Sequence, residues 1–241
     1  MTDEQTPTTA SFDVAIVGAG PAGCAAGVFC ARAGLETVVF ENGRSTLRKC
    51  AYVENYLGFP EGLTPGDLLE LSKAHLAETD ADARTGTVES ARVIEDGFEL
   101  TVNEGGNNTR VRATYLLAAS WSESDYLDEV GVETEAEPDG PVQEIQTDET
   151  GETNVDGVYA AGRITGTHHQ ALVSAGDGAR VALNIVNRAI PEFYNDWVAP
   201  EGYYASYDRD VPVGIEEVDH EERRRRAERG RQRMRSFFEE R

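Results

Sequence analysis

The first sustained apolar run, Phe12-Asp13-Val14-Ala15-Ile16-Val17, is rich in β-branched residues and ends in Gly18-Ala19-Gly20-Pro21-Ala22-Gly23, after which small and apolar residues continue to Ala33-Gly34. This is the pattern of a buried strand, a glycine turn and a helix stopped by Gly34. Glu36-Thr37-Val38-Val39-Phe40 reads as a second strand closing on Glu41. Residues 12 to 41 therefore form one βαβ unit, and right-handed crossover makes its strands a parallel pair. Thr64-Pro65-Gly66-Asp67 then introduces a helix running to Leu76, with Thr64 as its N-cap. Alternating stretches at 88–94, 98–102 and 109–117, separated by Asp96-Gly97 and Gly105-Gly106-Asn107-Asn108, predict successive hairpins. Residues 122–154 are acidic and poorly patterned and predict a loop. A short strand at 157–161 and a helix over 169–189 follow it. After Pro191 the chain changes character, first to an irregular aromatic stretch and then to a charged helical one.

Charge alters the setting in which this fold must work. The sequence carries 44 acidic residues against 22 basic ones, a formal net charge of −22, and only Lys49 and Lys73 of the basic set are lysines. This balance predicts a halophilic, haloarchaeal type of chain, the alternative being an acidic surface with no special environment. Self-repulsion opposes compaction in dilute buffer, whereas at 1 M salt the Debye length is only about 3 Å. The acidity also argues against nucleic acid as a partner. Residues 221–241 hold nine Arg and five Glu, a net of +4, so the 220 residues before them carry −26. No run of about 18 apolar residues occurs and the first ten residues are polar and acidic, so the expectation is a cytoplasmic chain without a membrane span. The cysteines, Cys24, Cys30 and Cys50, include no Cys-x-x-Cys pair and predict neither a disulfide framework nor a metal site.

The glycine turn carries the first chemistry. In Gly18-x-Gly20-x-x-Gly23 the first glycine makes the tight turn, the second lets backbone approach a pyrophosphate, and the third allows close packing of helix on strand. Pro21 and Ala22 open the helix, whose N-terminal amides and partial positive charge face the anion. Glu41, ending the second strand, can accept both hydroxyls of an adenosine ribose. Together these predict adenine-dinucleotide binding, and the loop alone does not separate FAD from NAD.

Three further blocks carry a family resemblance. Val53-Glu54-Asn55-Tyr56-Leu57-Gly58-Phe59-Pro60, then Leu63 to Leu69, and then Val155 to Arg163 with Gln170 to Gly178, resemble the thioredoxin reductases, in that family's order. The resemblance covers residues 12 to 185 and implies FAD as cofactor. It implies an α/β, Rossmann-like FAD-binding domain over 11–190, with a parallel sheet, helices and a β-meander insertion, followed by a helical extension over 191–241. Asn55 matches a residue beside the flavin ribityl and ring, and Gln170 and Ala171 match residues whose backbone meets the pyrimidine edge. The helix behind them aims its N-terminus at the flavin, which would raise its reduction potential.

Departures from the family shape the expected function. Arg163 follows Gly162 where the family has an aspartate that accepts a ribityl hydrogen bond; Arg163 cannot accept one but could reach the pyrophosphate. Ser120 stands where the family ends a strand in Ala-Thr-Gly. Between Ser120 and Gly157 the family inserts its nicotinamide domain with the redox-active Cys-x-x-Cys, and here 36 residues fill that interval. The expectation is an FAD-dependent oxidoreductase without the NAD(P)H half, served by a protein electron donor such as a ferredoxin, with a homodimer as its assembly. The alternative is a non-catalytic FAD- or nucleotide-binding module, or a subunit of a larger redox complex. Cys24 and Cys30 read as core. Cys50 is either a redox thiol or an ordinary loop thiol, and His169 either a proton relay or part of a solvated turn.

Overall fold

The structure, a computed structural model, describes residues 9–137 and 142–239. Strand β1 (Ala10–Val17) is a central strand with a parallel neighbour on each edge, and its Val14 through Val17 are buried. One neighbour is β2 (Thr37–Glu41), reached through helix α1 (Pro21–Arg32), with Val14 opposite Thr37 and Val17 opposite Phe40. The other is β6 (Asn107–Ala118), with Val14 opposite Tyr115 and Val17 opposite Ala118. A strand covered on both faces needs an unbroken apolar run, which is why residues 14–17 do not alternate.

After β2 the chain passes through α2 (Pro65–Ala77), capped by the Thr64 hydroxyl accepting from the Asp67 amide, and returns as β3 (Asp82–Thr85) parallel to β2. An antiparallel meander follows, β4 (Thr87–Ile94), β5 (Gly97–Glu104) and β6. Strand β6 joins the two halves of the sheet. Its first half pairs with β5 as far as Ala113, and on the edge that β5 leaves free its last residues take β9 (Val158–Ala160) in parallel, Leu116 opposite Val158 and Ala118 opposite Ala160. The result is one mixed seven-stranded sheet, ordered β3-β2-β1-β6-β5-β4 with β9 on β6. Its core includes Val38, Phe40, Leu100, Leu116 and Val158.

The interval expected to be a plain loop contains structure. Residues 125–127 form a single helical turn whose Tyr126 and Leu127 are buried, and β7 (Thr134–Ala136) pairs with β8 (Gln143–Ile145) as a small ribbon. These strands are polar and three residues long, so their signal comes from pairing rather than from hydrophobic alternation. Helix α3 (Ala171–Ala189) packs closely on α1: a Cβ on Gly178 would stand 2.1 Å from the Ala22 carbonyl oxygen.

The chain divides into two compact units, Met1–Val186 and Asn187–Arg241, the division falling inside α3. In the second unit β10 (Trp197–Pro200) and β11 (Ile215–Val218) pair in parallel around an aromatic group of Trp197, Tyr203, Tyr204 and Tyr207. Helix α4 (His220–Glu239) follows and is fastened to β11 by Arg226 on Glu216.

Candidate functional site

Parallel strands deliver their carboxyl ends to one edge of the sheet, and a cavity of about 400 Å³ opens there, lined by residues that include Val17, Phe40, Glu41, Ala119 and Ala161. The strand ends are stitched together: Gly18 N–H donates to Phe40 O, Ala119 N–H to Val17 O and Ala161 N–H to Ala118 O. The glycine loop is built as its spacing requires. Gly18 has φ +109° and a Cβ there would lie 2.4 Å from Ala119 O; a Cβ on Gly23 would lie 1.7 Å from Gly18 O. At Gly20, by contrast, the nearest atom to an added Cβ is Ser45 Oγ at 3.8 Å, so space is open beside the backbone. That open cradle, with the start of α1 behind it, is the shape a pyrophosphate fits.

Of the residues expected at the site, Gly18, Gly20, Pro21, Ala22, Glu41, Asn55, Arg163, Gln170 and Ala171 all line this cavity, as do Cys50 and His169. Gly23 and Gly162 do not line it and act from behind, Gly23 through its contact with Gly18 and Gly162 at the turn after β9, where its N–H donates to Asp177 Oδ2 at 2.7 Å. Asn55 and Gln170, 115 residues apart, meet directly: Asn55 Nδ2 donates to Gln170 Oε1 at 2.7 Å. Ser174 N–H bonds Gln170 O, so the first turn of α3 opens beside the cavity at Gln170.

One expectation needs amendment. Arg163, offered above as a reach toward a pyrophosphate, has its guanidinium engaged by Glu137 and Glu144, the latter at 2.8 Å, on the ribbon strand and its approach. The hydrogen bond that Arg163 donates to Glu144, and then the charge of both carboxylates, overcome partial burial and raise its pKa. Ser120 keeps an ordinary backbone angle, and the left-handed position falls one residue later, at Trp121, φ 65°. Trp121 lines the cavity beside the Lys49 ammonium and His169, and its buried Nε1 has no hydrogen-bond partner. Tyr126 also lines the cavity, hydrogen-bonded to Ser120 Oγ at 3.1 Å, and burial pushes its pKa up. Sequence reasoning passed over Trp121, Tyr126 and Lys73, because each comes from a segment without a motif. The scarcity of lysine was the one signal available for Lys73.

Cys24 and Cys30 are buried, as expected of core thiols, and burial pushes each pKa up to about 12. Cys50 is exposed. Among the described residues no group of three His, Cys, Asp or Glu is placed to hold a metal, and no helix is long and apolar enough to cross a membrane.

Comparison with known proteins bears on this geometry at two levels. The model of the FAD binding domain family matches residues 13–52, the βαβ unit and the loop after it. A thioredoxin reductase from Mycolicibacterium smegmatis is 36% identical over 106 residues, 43% of this chain and 33% of the relative. The structure superposes on a thioredoxin reductase from Gloeobacter violaceus with TM-score 0.66 and 19% identity, covering 78% of this chain and 98% of that one. A ferredoxin-flavin thioredoxin reductase from Clostridium acetobutylicum gives TM-score 0.58 and 18% identity over 76% of this chain and 99% of that one. The chain has the fold of the thioredoxin reductases, and its first βαβ unit matches an FAD binding domain. The matched stretch spans a third of the length of the Mycolicibacterium smegmatis relative.

The residues present suit FAD. The open backbone at Gly20 leaves room that a pyrophosphate would fill, Glu41 at the end of β2 would face the ribose, and Asn55, paired with Gln170 beside the first turn of α3, would lie by the flavin.

Proposed function

We propose that this chain is an FAD-dependent oxidoreductase that works without a nicotinamide domain of its own and takes its electrons from a separate donor. The observation that carries the reading is the direct pairing of β6 with β9, Leu116 to Ala118 against Val158 to Ala160. Thirty-nine residues separate Ala118 from Val158, and those described among them form a helical turn and a two-stranded ribbon. A βαβαβ nucleotide-binding unit needs far more chain. No Cys-x-x-Cys lies in this sequence either.

Bound FAD supplies two-electron redox chemistry, and the protein supplies position and potential. Residues 18–23 and α1 would hold the pyrophosphate, Glu41 the ribose, and Asn55, Gln170 and Ala171 would orient the ring edge. The first turn of α3 would favour negative charge on the ring edge beside it. Ferredoxin fits as donor because a small electron carrier needs only approach to the ring, whereas hydride transfer needs a nicotinamide held about 3 to 3.5 Å away.

One observation favours a second reading, an FAD-binding module without turnover: the residue in the family's ribityl-contacting position, Arg163, is committed to Glu137 and Glu144. Anaerobic stopped-flow separates the two. The expected result is slow, unsaturable bleaching with NADH or NADPH and fast bleaching with reduced ferredoxin. Saturation at micromolar nucleotide would show that an ordered nicotinamide site exists, and a flavin that no donor reduces would favour the module.

A further inference from the structure

Lys73 projects from α2 into the wall of the cavity and places its ammonium on Glu41, 2.7 Å from Oε1 and 2.6 Å from Oε2. We propose that Lys73 is a positioning residue for ribose recognition: it clamps both oxygens of Glu41 and presents that carboxylate to the 2′ and 3′ hydroxyls of the adenosine ribose. The proposal rests on the FAD reading above and extends it to a side chain that contacts the cofactor only through Glu41.

The geometry leaves Glu41 able to do both jobs. An ionised carboxylate offers roughly four acceptor positions, of which one ammonium takes two, so two remain for a vicinal diol. Both side chains are about a quarter exposed, 26% for Glu41 and 27% for Lys73, so neither is sealed away from a ligand. The lysine is itself held. Helix α2 is anchored by buried Leu68, Leu69 and Leu76, and Glu70 lies 3.9 Å from Lys73 Nζ and 3.7 Å from Arg48. Charge supplies a second reason. A dianionic pyrophosphate entering a chain of net −22 meets added repulsion from any unpaired carboxylate near it, and Lys73 cancels that of Glu41.

Residue choice points the same way. The chain uses arginine twenty times and lysine twice, yet one of the two lysines sits on Glu41 and the other, Lys49, lies over Trp121, which lines the same cavity. A guanidinium is planar and presents a fork that would occupy a carboxylate edge-on, whereas an ammonium is a compact point charge that leaves the outer lone pairs accessible.

The experiment measures displacement of FAD from the full-length protein by ADP and by 2′-deoxy-ADP, for wild type, Lys73→Met and Lys73→Arg, with circular dichroism to confirm folding. FAD uptake by the wild type tests the cofactor reading, and a wild type that takes up none would end both readings. Given uptake, the wild type should prefer ADP over 2′-deoxy-ADP. Lys73→Met should weaken ADP about ten-fold, in the range of one charge-assisted hydrogen bond, and 2′-deoxy-ADP much less, so the preference collapses. Lys73→Arg should restore part of it. Equal losses for both nucleotides would mean that Lys73 acts through charge or packing and not through the ribose, and would overturn the proposal. No loss for either, or a wild type that binds FAD without distinguishing the two nucleotides, would also overturn the proposal while leaving FAD binding intact.

Discussion

The glycine loop shows how a single hydrogen atom can be a structural requirement. Gly23 and Gly20 both belong to the same motif, yet their surroundings differ: an added Cβ on Gly23 overlaps Gly18 O at 1.7 Å, and one on Gly20 meets nothing closer than 3.8 Å. Gly20 has φ −77°, which any residue adopts. Gly23→Ala should therefore force α1 away from the loop and destabilise the protein by about 3 kcal/mol, the upper end of overpacking penalties. Gly20→Ala should leave Tm unchanged and weaken FAD, because its methyl group stands where the pyrophosphate approaches. Thermal unfolding with FAD titration of each variant checks both, and a Gly23→Ala protein with the wild-type Tm would show that the loop has room it does not display.

At the scale of elements, legibility in the sequence followed burial. Strand β1 and helix α1 were readable because a twice-covered strand and a glycine turn leave strong local marks, and Thr64 marked α2 by its cap. Strand β3, Asp82-Ala83-Arg84-Thr85, carries no apolar pattern and exists by pairing with β2. The same holds for the ribbon β7–β8, which brings Glu144 to Arg163 and so decides what that arginine does. The strand pair in the second unit, read as irregular, was hidden for a related reason: its partners are 15 residues apart and each only four residues long. Helix α4 was readable as helical, but its fastening was not. Glu222 accepts from Arg226, Arg225 and Arg229, and these bonds, that from Arg226 foremost, lower its pKa from 4.5 to about 2 against the opposing effect of desolvation. A depressed carboxylate contributes stability that is complete above its unfolded value and lost as pH falls through the folded one. The contribution of Glu222 should thus persist at pH 4.5 and disappear toward pH 2. Carbon NMR of the Glu222 carboxyl should show a midpoint near 2 that climbs toward 4.5 in Arg226→Gln; a wild-type midpoint already near 4.5 would mean the arginines do not hold it.

For the whole molecule the deciding quantity is charge, and two opposed effects of salt must be weighed. Salt weakens attractive pairs as well as repulsion. The attractive pairs most exposed to it, such as Arg225 with Glu221 at 3.6 Å, are surface pairs worth about 0 to 1 kcal/mol each, so little is lost by screening them. The best-built one is sheltered: Glu99 is 5% exposed and held by Arg92 and Arg112 at 2.6 and 3.1 Å, which lowers its pKa. Repulsion is different in kind, because 44 acidic residues against 22 basic ones leave a surplus that no local pairing can neutralise, and it acts over a Debye length of about 10 Å at 0.1 M salt. Raising salt to 1 M shortens that length to about 3 Å and removes most of the penalty. The prediction is a Tm that climbs steeply between 0.1 and about 1 M KCl and more gently beyond, where screening is nearly complete and only preferential exclusion of salt remains. FAD affinity should rise over the same range, since a dianionic pyrophosphate enters a field of the same sign. Differential scanning calorimetry and flavin titration across a salt series test this. A Tm that stays flat or falls would mean that the acidic surplus is offset by pairing after all, and the halophilic reading of the composition would be wrong.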